Sequence, residues 1–211
     1  MKAPSPLILR RFIKPALFVI CALPFLALVW EGLGLVGASL GTNPVEHVQD
    51  TFGQWGLRFI VITLAVTPLR DWFNMPWLVQ LRRMLGLYAF FYVLMHFLTW
   101  LILDQGLYWS GILADIAERP FITIGFAALL MLIPLAVTST NGMMRRLGKR
   151  WKTLHRLVYV IALLGVWHYY WQVKKDVTEP LIYAAIVAVL LGWRVWKLRP
   201  KRKATVAAAN T

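Results

Sequence analysis

Apolar runs of about 20 residues, the length at which a helix crosses a bilayer, recur along this 211-residue chain. Six such runs are read: Phe12 to Trp30, Phe52 to Leu69, Leu81 to Leu103, Phe121 to Val137, Trp151 to Trp171 and Leu181 to Trp196. Backbone amides have no water to bond in hydrocarbon, so spans of this kind must be helices. The expected fold class is therefore all-α: a polytopic membrane protein built as a six-transmembrane-helix bundle. Composition agrees, with 59% hydrophobic and only 15% charged residues, more apolar than a soluble domain of this size. Pro24 and Pro134 fall inside spans, which membrane helices tolerate. Trp30, Trp100, Trp109, Trp151, Trp171 and Trp196 cluster near span ends as an aromatic belt.

The net charge of +14 does not point to nucleic acid, because the basic residues flank the apolar runs. Lys2, Arg10, Arg11 and Lys14 precede the first run, and Arg70, Arg82 and Arg83 lie between the second and third. Arg145, Arg146, Lys149, Arg150 and Lys152 precede the fifth, and Arg194, Lys197, Arg199, Lys201, Arg202 and Lys203 close the chain. By the positive-inside rule both termini are expected in the cytoplasm, in a bacterial inner membrane. Arg58, Arg119, Lys174 and Lys175 remain on the other side. The basic start and apolar run resemble a signal peptide with cleavage near Val36-Gly37-Ala38, but a run of about 19 residues exceeds a signal core and reads as an anchor. Cys21 stands alone in an apolar run, as a buried inert thiol. No internal repeat is visible. The stretch 201–211 reads as a basic, then Ala-rich, disordered tail.

Ionisable groups inside a membrane are costly and mark functional sites. Three of the four histidines lie in apolar runs: His96 in the third, His155 and His168 in the fifth. His96 is about 15 residues into its span, roughly 22 Å along the axis, and His168 about 17 residues into its own, roughly 25 Å. Both spans run in the same direction, so the two imidazoles share a depth near the outer face. A histidine pair in a dry helical bundle suits haem, and His96 and His168 are the expected axial ligands.

His155 sits near the cytoplasmic end. On an ideal helix it lies about 140° from His168, so a second stacked haem needs a local irregularity. The position facing it on the third span is occupied by Arg82, which stays protonated and cannot ligate iron. Arg82, Arg83 and the Arg145–Lys152 cluster suit a phosphate or a propionate, for instance a flavin phosphate. The same cluster also reads as the positive-inside signal alone. Arg58 and Arg119 are candidate partners of a haem propionate, with snorkelling to the interface the plain alternative for Arg58. His47, in Asn43-Pro44-Val45-Glu46-His47, reads as a solvated loop histidine.

Several motifs are specific in combination. Arg82-Arg83-Met84-Leu85-Gly86-Leu87-Tyr88 precedes His96. Thr138-Ser139-Thr140 is followed by Arg146-Leu147-Gly148-Lys149-Arg150-Trp151, Leu154-His155-Arg156-Leu157-Val158-Tyr159 and His168-Tyr169. With Asn43-Pro44-Val45-Glu46 and Arg119-Pro120-Phe121, this set resembles the MsrQ family over about Pro24 to Lys197. The resemblance implies a ferric-reductase-like transmembrane domain over residues 1–200, in the superfamily of NADPH oxidases and STEAP reductases. It implies the haem b subunit of a periplasmic methionine sulfoxide reductase system, an electron-transfer subunit rather than the catalytic one. It implies a molybdopterin partner of the MsrP type, electrons from the quinone pool or a flavin reductase, and FMN as a second cofactor. Where NADPH oxidases hold two haems on two histidine pairs, Arg82 replaces the inner histidine here. A flavin or a singly ligated haem then remains for His155. A stand-alone ferric or oxygen reductase needs a nucleotide domain, and the chain has no G-x-G-x-x-G after a strand. A non-redox transporter using the histidines as proton relays is the other class. The acids Glu31, Glu46, Asp50, Asp104, Asp115 and Glu118 lie in the expected outer loops and suit a basic partner face.

Overall fold

The structure is a computed structural model that describes residues 4–37, 39–173 and 176–198. The expected tail 201–211 lies outside the described residues, as do Lys2, Ala38, Lys174, Lys175 and Arg199. The described residues are helical, in the order α1 (Pro6–Gly32), α2 (Pro44–Trp72), α3 (Arg82–Asp104), α4 (Trp109–Glu118), α5 (Pro120–Val137), α6 (Asn141–Leu147), α7 (Lys149–Leu154), α8 (Leu157–Gln172) and α9 (Thr178–Leu198). Five of them, α1, α2, α3, α5 and α9, are long and apolar enough to cross a membrane.

The fifth expected span is corrected. It is not one helix from Trp151 to Trp171 but α7 and α8, separated at His155–Arg156. The carbonyl of Trp151 receives both the backbone N–H and the ring Nδ1 of His155, each at 3.0 Å. The next bonds, Arg156 N–H to Thr153 O and Val158 N–H to His155 O, close three residues back rather than four. The histidine side chain thus competes with the helical ladder and tightens it into a turn. Beyond that turn, α8 has 16 residues, about 24 Å of rise.

The second span is longer than the hydropathy indicates, because α2 starts at Pro44 rather than Phe52. Asn43 caps it: its side chain accepts from Glu46 N–H at 3.4 Å and donates to Glu46 Oε2 at 2.6 Å. Proline at the first helical position is preorganised for that start. His47 is therefore a first-turn helical residue, not a loop one.

Two antiparallel pairs make the centre. Helices α2 and α3 form one and α5 and α8 the other; α9 packs on α8 and α2, and α1 flanks α2 and α3. The core between α2 and α3 is aromatic, with Phe59 stacked on Tyr88 at 5.7 Å and on Tyr92 at 5.3 Å. Tyr92 is fully buried. Its hydroxyl donates to Cys21 O at 2.8 Å and accepts from Phe25 N–H at 3.1 Å. It is thereby inserted into the ladder of α1 beside Pro24, joining α1 to α3 by a polar contact inside an apolar core.

Candidate cofactor site

His96 is carried by α3 and His168 by α8, and the two imidazoles meet between the helix pairs, with ring centroids 6.0 Å apart and planes at 81°. Two imidazoles that share one metal ion at about 2.0–2.1 Å per bond through Nε2 bring their centroids to roughly 6.3 Å. The observed separation matches that arrangement.

Each ring is held in the same way. His96 Nδ1 donates to Gln49 O at 2.8 Å, and His168 Nδ1 donates to Phe121 O at 2.7 Å. This fixes each tautomer with the proton on Nδ1 and leaves the Nε2 lone pair for a metal, the usual orientation of a ligating histidine. Each ring also lies directly on a glycine four residues past its carbonyl partner. A Cβ at Gly53 would stand 2.9 Å from His96 Nδ1, and one at Gly125 would stand 2.8 Å from His168 Nδ1. Only glycine lets the imidazole approach the helix so closely. Just beyond His96, α3 widens into a π-helical turn over Thr99–Asp104, a feature frequent at functional sites.

The two half-sites are copies of one design. Gln49 and Phe121, Gly53 and Gly125, and His96 and His168 are each separated by 72 positions. The structure thus contains an internal repeat, α2–α3 against α5–α8, where none is visible in the sequence. Gly53 and Gly125 carry no signal of their own in the sequence; their common spacing with the histidines is the signal that finds them.

Among the described residues, no three His, Cys, Asp or Glu side chains gather around one point. Two nitrogens alone are a poor cage for a bare ion. They fit a metal that brings its own equatorial ligands, as iron in a porphyrin does.

The other expected residues separate into two groups. Arg58 donates to Tyr183 Oη at 3.1 Å and to Gln54 Oε1 at 3.0 Å, with its guanidinium 4.8 Å from the Trp55 ring. Arg119 pairs with Asp115 at 3.1 Å. At the opposite, basic end of the bundle, His155 stacks on Trp151 at 3.8 Å, and Trp151 Nε1 donates to Thr138 O at 2.9 Å. His155 Nε2 is buried without a hydrogen-bond partner among the described residues. The break at His155–Arg156 is a local irregularity of the kind that the ideal-helix argument required, and the 140° phase of an unbroken helix does not apply across it.

Arg82 and Arg83 diverge. Arg83 donates to Asn141 Oδ1 and lies 3.5 Å from Met144 Sδ. Arg82 turns into the bundle, beside Tyr159 and Arg194. Arg194, which the sequence did not single out, donates to Tyr159 Oη and to Thr67 Oγ1, the latter at 3.0 Å. Asp71, the acid at that end, pairs with Arg70 and Lys197 instead. Arg82 and Arg194 thus form a cationic cluster with no carboxylate partner among the described residues.

The profile of the ferric reductase like transmembrane component matches residues 52–166, a segment containing both histidine half-sites except Gln49 and His168. Full-length relatives extend the match. A protein-methionine-sulfoxide reductase heme-binding subunit MsrQ of Ralstonia nicotianae is 52% identical over 191 residues, covering 88% of this chain and 86% of that one. The chain belongs to the MsrQ family. Other family members match as well: the subunit of the same name from Xanthomonas euvesicatoria pv. vesicatoria is 51% identical over 177 residues, covering 84% of this chain and 80% of that one. The Bordetella pertussis subunit is 50% identical over 192 residues, covering 89% and 92%. Membership confirms the resemblance carried by the arginine and histidine motifs, and with it an all-α polytopic membrane protein.

Proposed function

We propose that this chain is a membrane cytochrome b that holds haem b between His96 and His168 and passes electrons across a bacterial inner membrane to a periplasmic reductase of protein methionine sulfoxide. The observation that carries this reading is the pair of imidazoles 6.0 Å apart, each tied through Nδ1 to a carbonyl and seated on a glycine. The heme-binding names of its relatives support it. Bound there, haem supplies one-electron iron chemistry. The chain's own residues supply the rest. The carbonyls of Gln49 and Phe121 orient the rings and raise their basicity. Phe97, Phe121 and Phe126, close to the rings or to one another, keep the surroundings apolar.

The distribution of Lys and Arg supports both termini in the cytoplasm, with the His96–His168 end facing the periplasm. Electrons then come from the quinone pool or a cytoplasmic-side donor such as a flavin reductase, and leave to an MsrP-type molybdopterin enzyme. At the inner end, His155, Arg82 and Arg83 hold a second redox group. FMN is supported by the guanidiniums of Arg82 and Arg194, which have no carboxylate partner among the described residues and suit a phosphate. A singly ligated haem is supported by the open Nε2 of His155. Flavin and haem stoichiometry of the purified protein separates the two. Arg58, held by Gln54 and Tyr183, serves the outer haem as a partner for a propionate.

The test is a reconstitution. Haem is reduced in proteoliposomes, then the periplasmic molybdoenzyme and methionine sulfoxide are added. Reoxidation is expected only with both present. Equal reoxidation by sulfoxide alone refutes the relay and favours a self-sufficient reductase, and purified protein without a Soret band favours a non-redox transporter.

A further inference from the structure

A groove of about 490 Å³ runs between α1 and α2, within the size range of small-molecule sites. It belongs to neither histidine site. Its walls are apolar, formed by Leu23, Pro24 and Ala27 on α1 and by Trp55 on α2, and its outer end is closed by Glu31 and His47. Leu23 is half exposed on the lipid-facing surface of α1, so the groove opens sideways to the membrane. His47 Nε2 donates to Glu31 Oε2 at 3.0 Å. The carboxylate thereby fixes the tautomer and leaves Nδ1 as a base, the logic of an oriented imidazole.

We infer that this groove binds a membrane hydroquinone and that His47 and Glu31 take its protons as it is oxidised, a step that rests on the haem reading above. Three observations select this ligand class. The groove is reached from the bilayer, so its occupant travels in lipid. Its polar end holds two proton acceptors at the water boundary, which serve a ligand that must lose protons when it loses electrons. Among the described residues, no Lys or Arg lines it, so a phosphate headgroup finds no cation there.

The position also suits electron transfer. Trp55 and Gly53 are two residues apart on α2, so they face nearly opposite sides of that helix. His96 rests on Gly53, so groove and imidazole are separated by about one helix diameter, roughly 10 Å. The balance is simple. Both O–H bonds of the hydroquinone break. The first proton goes to His47 Nδ1 and the second to the Glu31 carboxylate, and both are released to outer water. Two electrons leave one at a time to ferric haem iron between His96 and His168, and the ring departs as quinone.

The experiment uses the haem-loaded protein in nanodiscs of phosphatidylethanolamine and phosphatidylglycerol. A photoreactive azidobenzoquinone maps the site, and stopped-flow reduction by decylubiquinol reads its use. Labelling is expected in residues 20–31 and 47–55. Ala27→Trp is expected to abolish that labelling and decylubiquinol-driven reduction. His47→Ala is expected to keep the label but slow reduction roughly a hundredfold, the scale of a lost general base. Glu31→Gln should slow it less. Haem content and dithionite reduction should be unchanged in all three, and reoxidation by the periplasmic enzyme unchanged in Ala27→Trp and His47→Ala, which separates failure of the groove from failure of the relay. If Ala27→Trp does not load haem, the wild-type label and His47→Ala decide. Labelling elsewhere, displacement of the label by phosphatidylethanolamine but not by decylubiquinol, or an unchanged rate in His47→Ala overturns the assignment.

Discussion

The glycines under the two histidines offer a sharp perturbation, because the same substitution should help the helix and harm the site. Gly125→Ala places a Cβ 2.8 Å from His168 Nδ1 and 2.9 Å from its Cε1. Ordinary contact begins near 3.5 Å, so ring or helix must retreat by about 0.7 Å. Metal ligands hold their distances to within about 0.2 Å, so the retreat exceeds what a bond to the metal tolerates. It also disturbs the 2.7 Å bond from Nδ1 to Phe121 O. Loss of such a supporting contact costs about 10–100-fold in metal affinity. The backbone effect has the opposite sign: alanine is preferred over glycine inside a helix by about 0.8–1 kcal/mol. Gly125→Ala is therefore expected to fold and insert normally but to retain haem about 10–100-fold more weakly. Gly53→Ala, whose Cβ meets His96 Nδ1 at 2.9 Å, should behave alike. Haem-to-protein ratio and the low-spin absorption spectrum, measured after dilution into apomyoglobin as haem acceptor, report the loss. Gly192→Ala, whose Cβ meets nothing within 4 Å, is the control. Full haem retention and an unchanged low-spin spectrum in both Gly53→Ala and Gly125→Ala would refute the saddle argument.

Four further variants and one spectrum test the arrangement of the bundle. His96→Ala or His168→Ala should abolish the low-spin b-type spectrum, whereas His155→Ala should slow electron input from the cytoplasmic side more than it alters that spectrum; loss of all haem together in His155→Ala argues against a separate inner site. Ligand planes crossed at 81° should give a strongly anisotropic low-spin EPR signal, and the rhombic signal of parallel imidazoles would contradict the ring arrangement. Tyr92→Phe removes the hydroxyl that joins Cys21 O and Phe25 N–H and should cost about 1–3 kcal/mol, the penalty of orphaned buried polar groups. Detergent-titrated unfolding equal to that of the parent would mean that the ladder of α1 recloses without it.

Hydropathy read the spans well wherever a helix is apolar from end to end, and depth counting brought His96 to His168 because both helices rise regularly to that level. It failed where polar residues continue a helix. The first turns of α2 carry Glu46, His47, Gln49 and Asp50 and look like loop, although Asn43, Pro44 and Glu46 spell a capped start. It failed again at His155, where a side chain takes part in the backbone bonding of Trp151 and no propensity scale registers the competition. Arg82 and Arg83 were legible as cations but not as divergent ones: adjacent positions on a helix point about 100° apart, and only the packing of α6 and α9 shows what each one meets.

The repeat explains why the candidate site is so sparse in sequence. Each half-site needs only a carbonyl, a glycine four residues on and a histidine on the next helix of the pair. The carbonyl is backbone and leaves no trace, so two residues per half are all that selection for this geometry can write. Neither helix pair sets the 6.0 Å between the rings; that distance comes from how α2–α3 packs on α5–α8. The ligand geometry therefore depends on residues that never approach the metal, on α2 and α5 as much as on the helices that carry the histidines. The same packing leaves the opposite face of α2, with Trp55, free to line the groove beside α1. One helix thus seats a ligand histidine on its glycine face and borders the proposed hydroquinone groove on its tryptophan face.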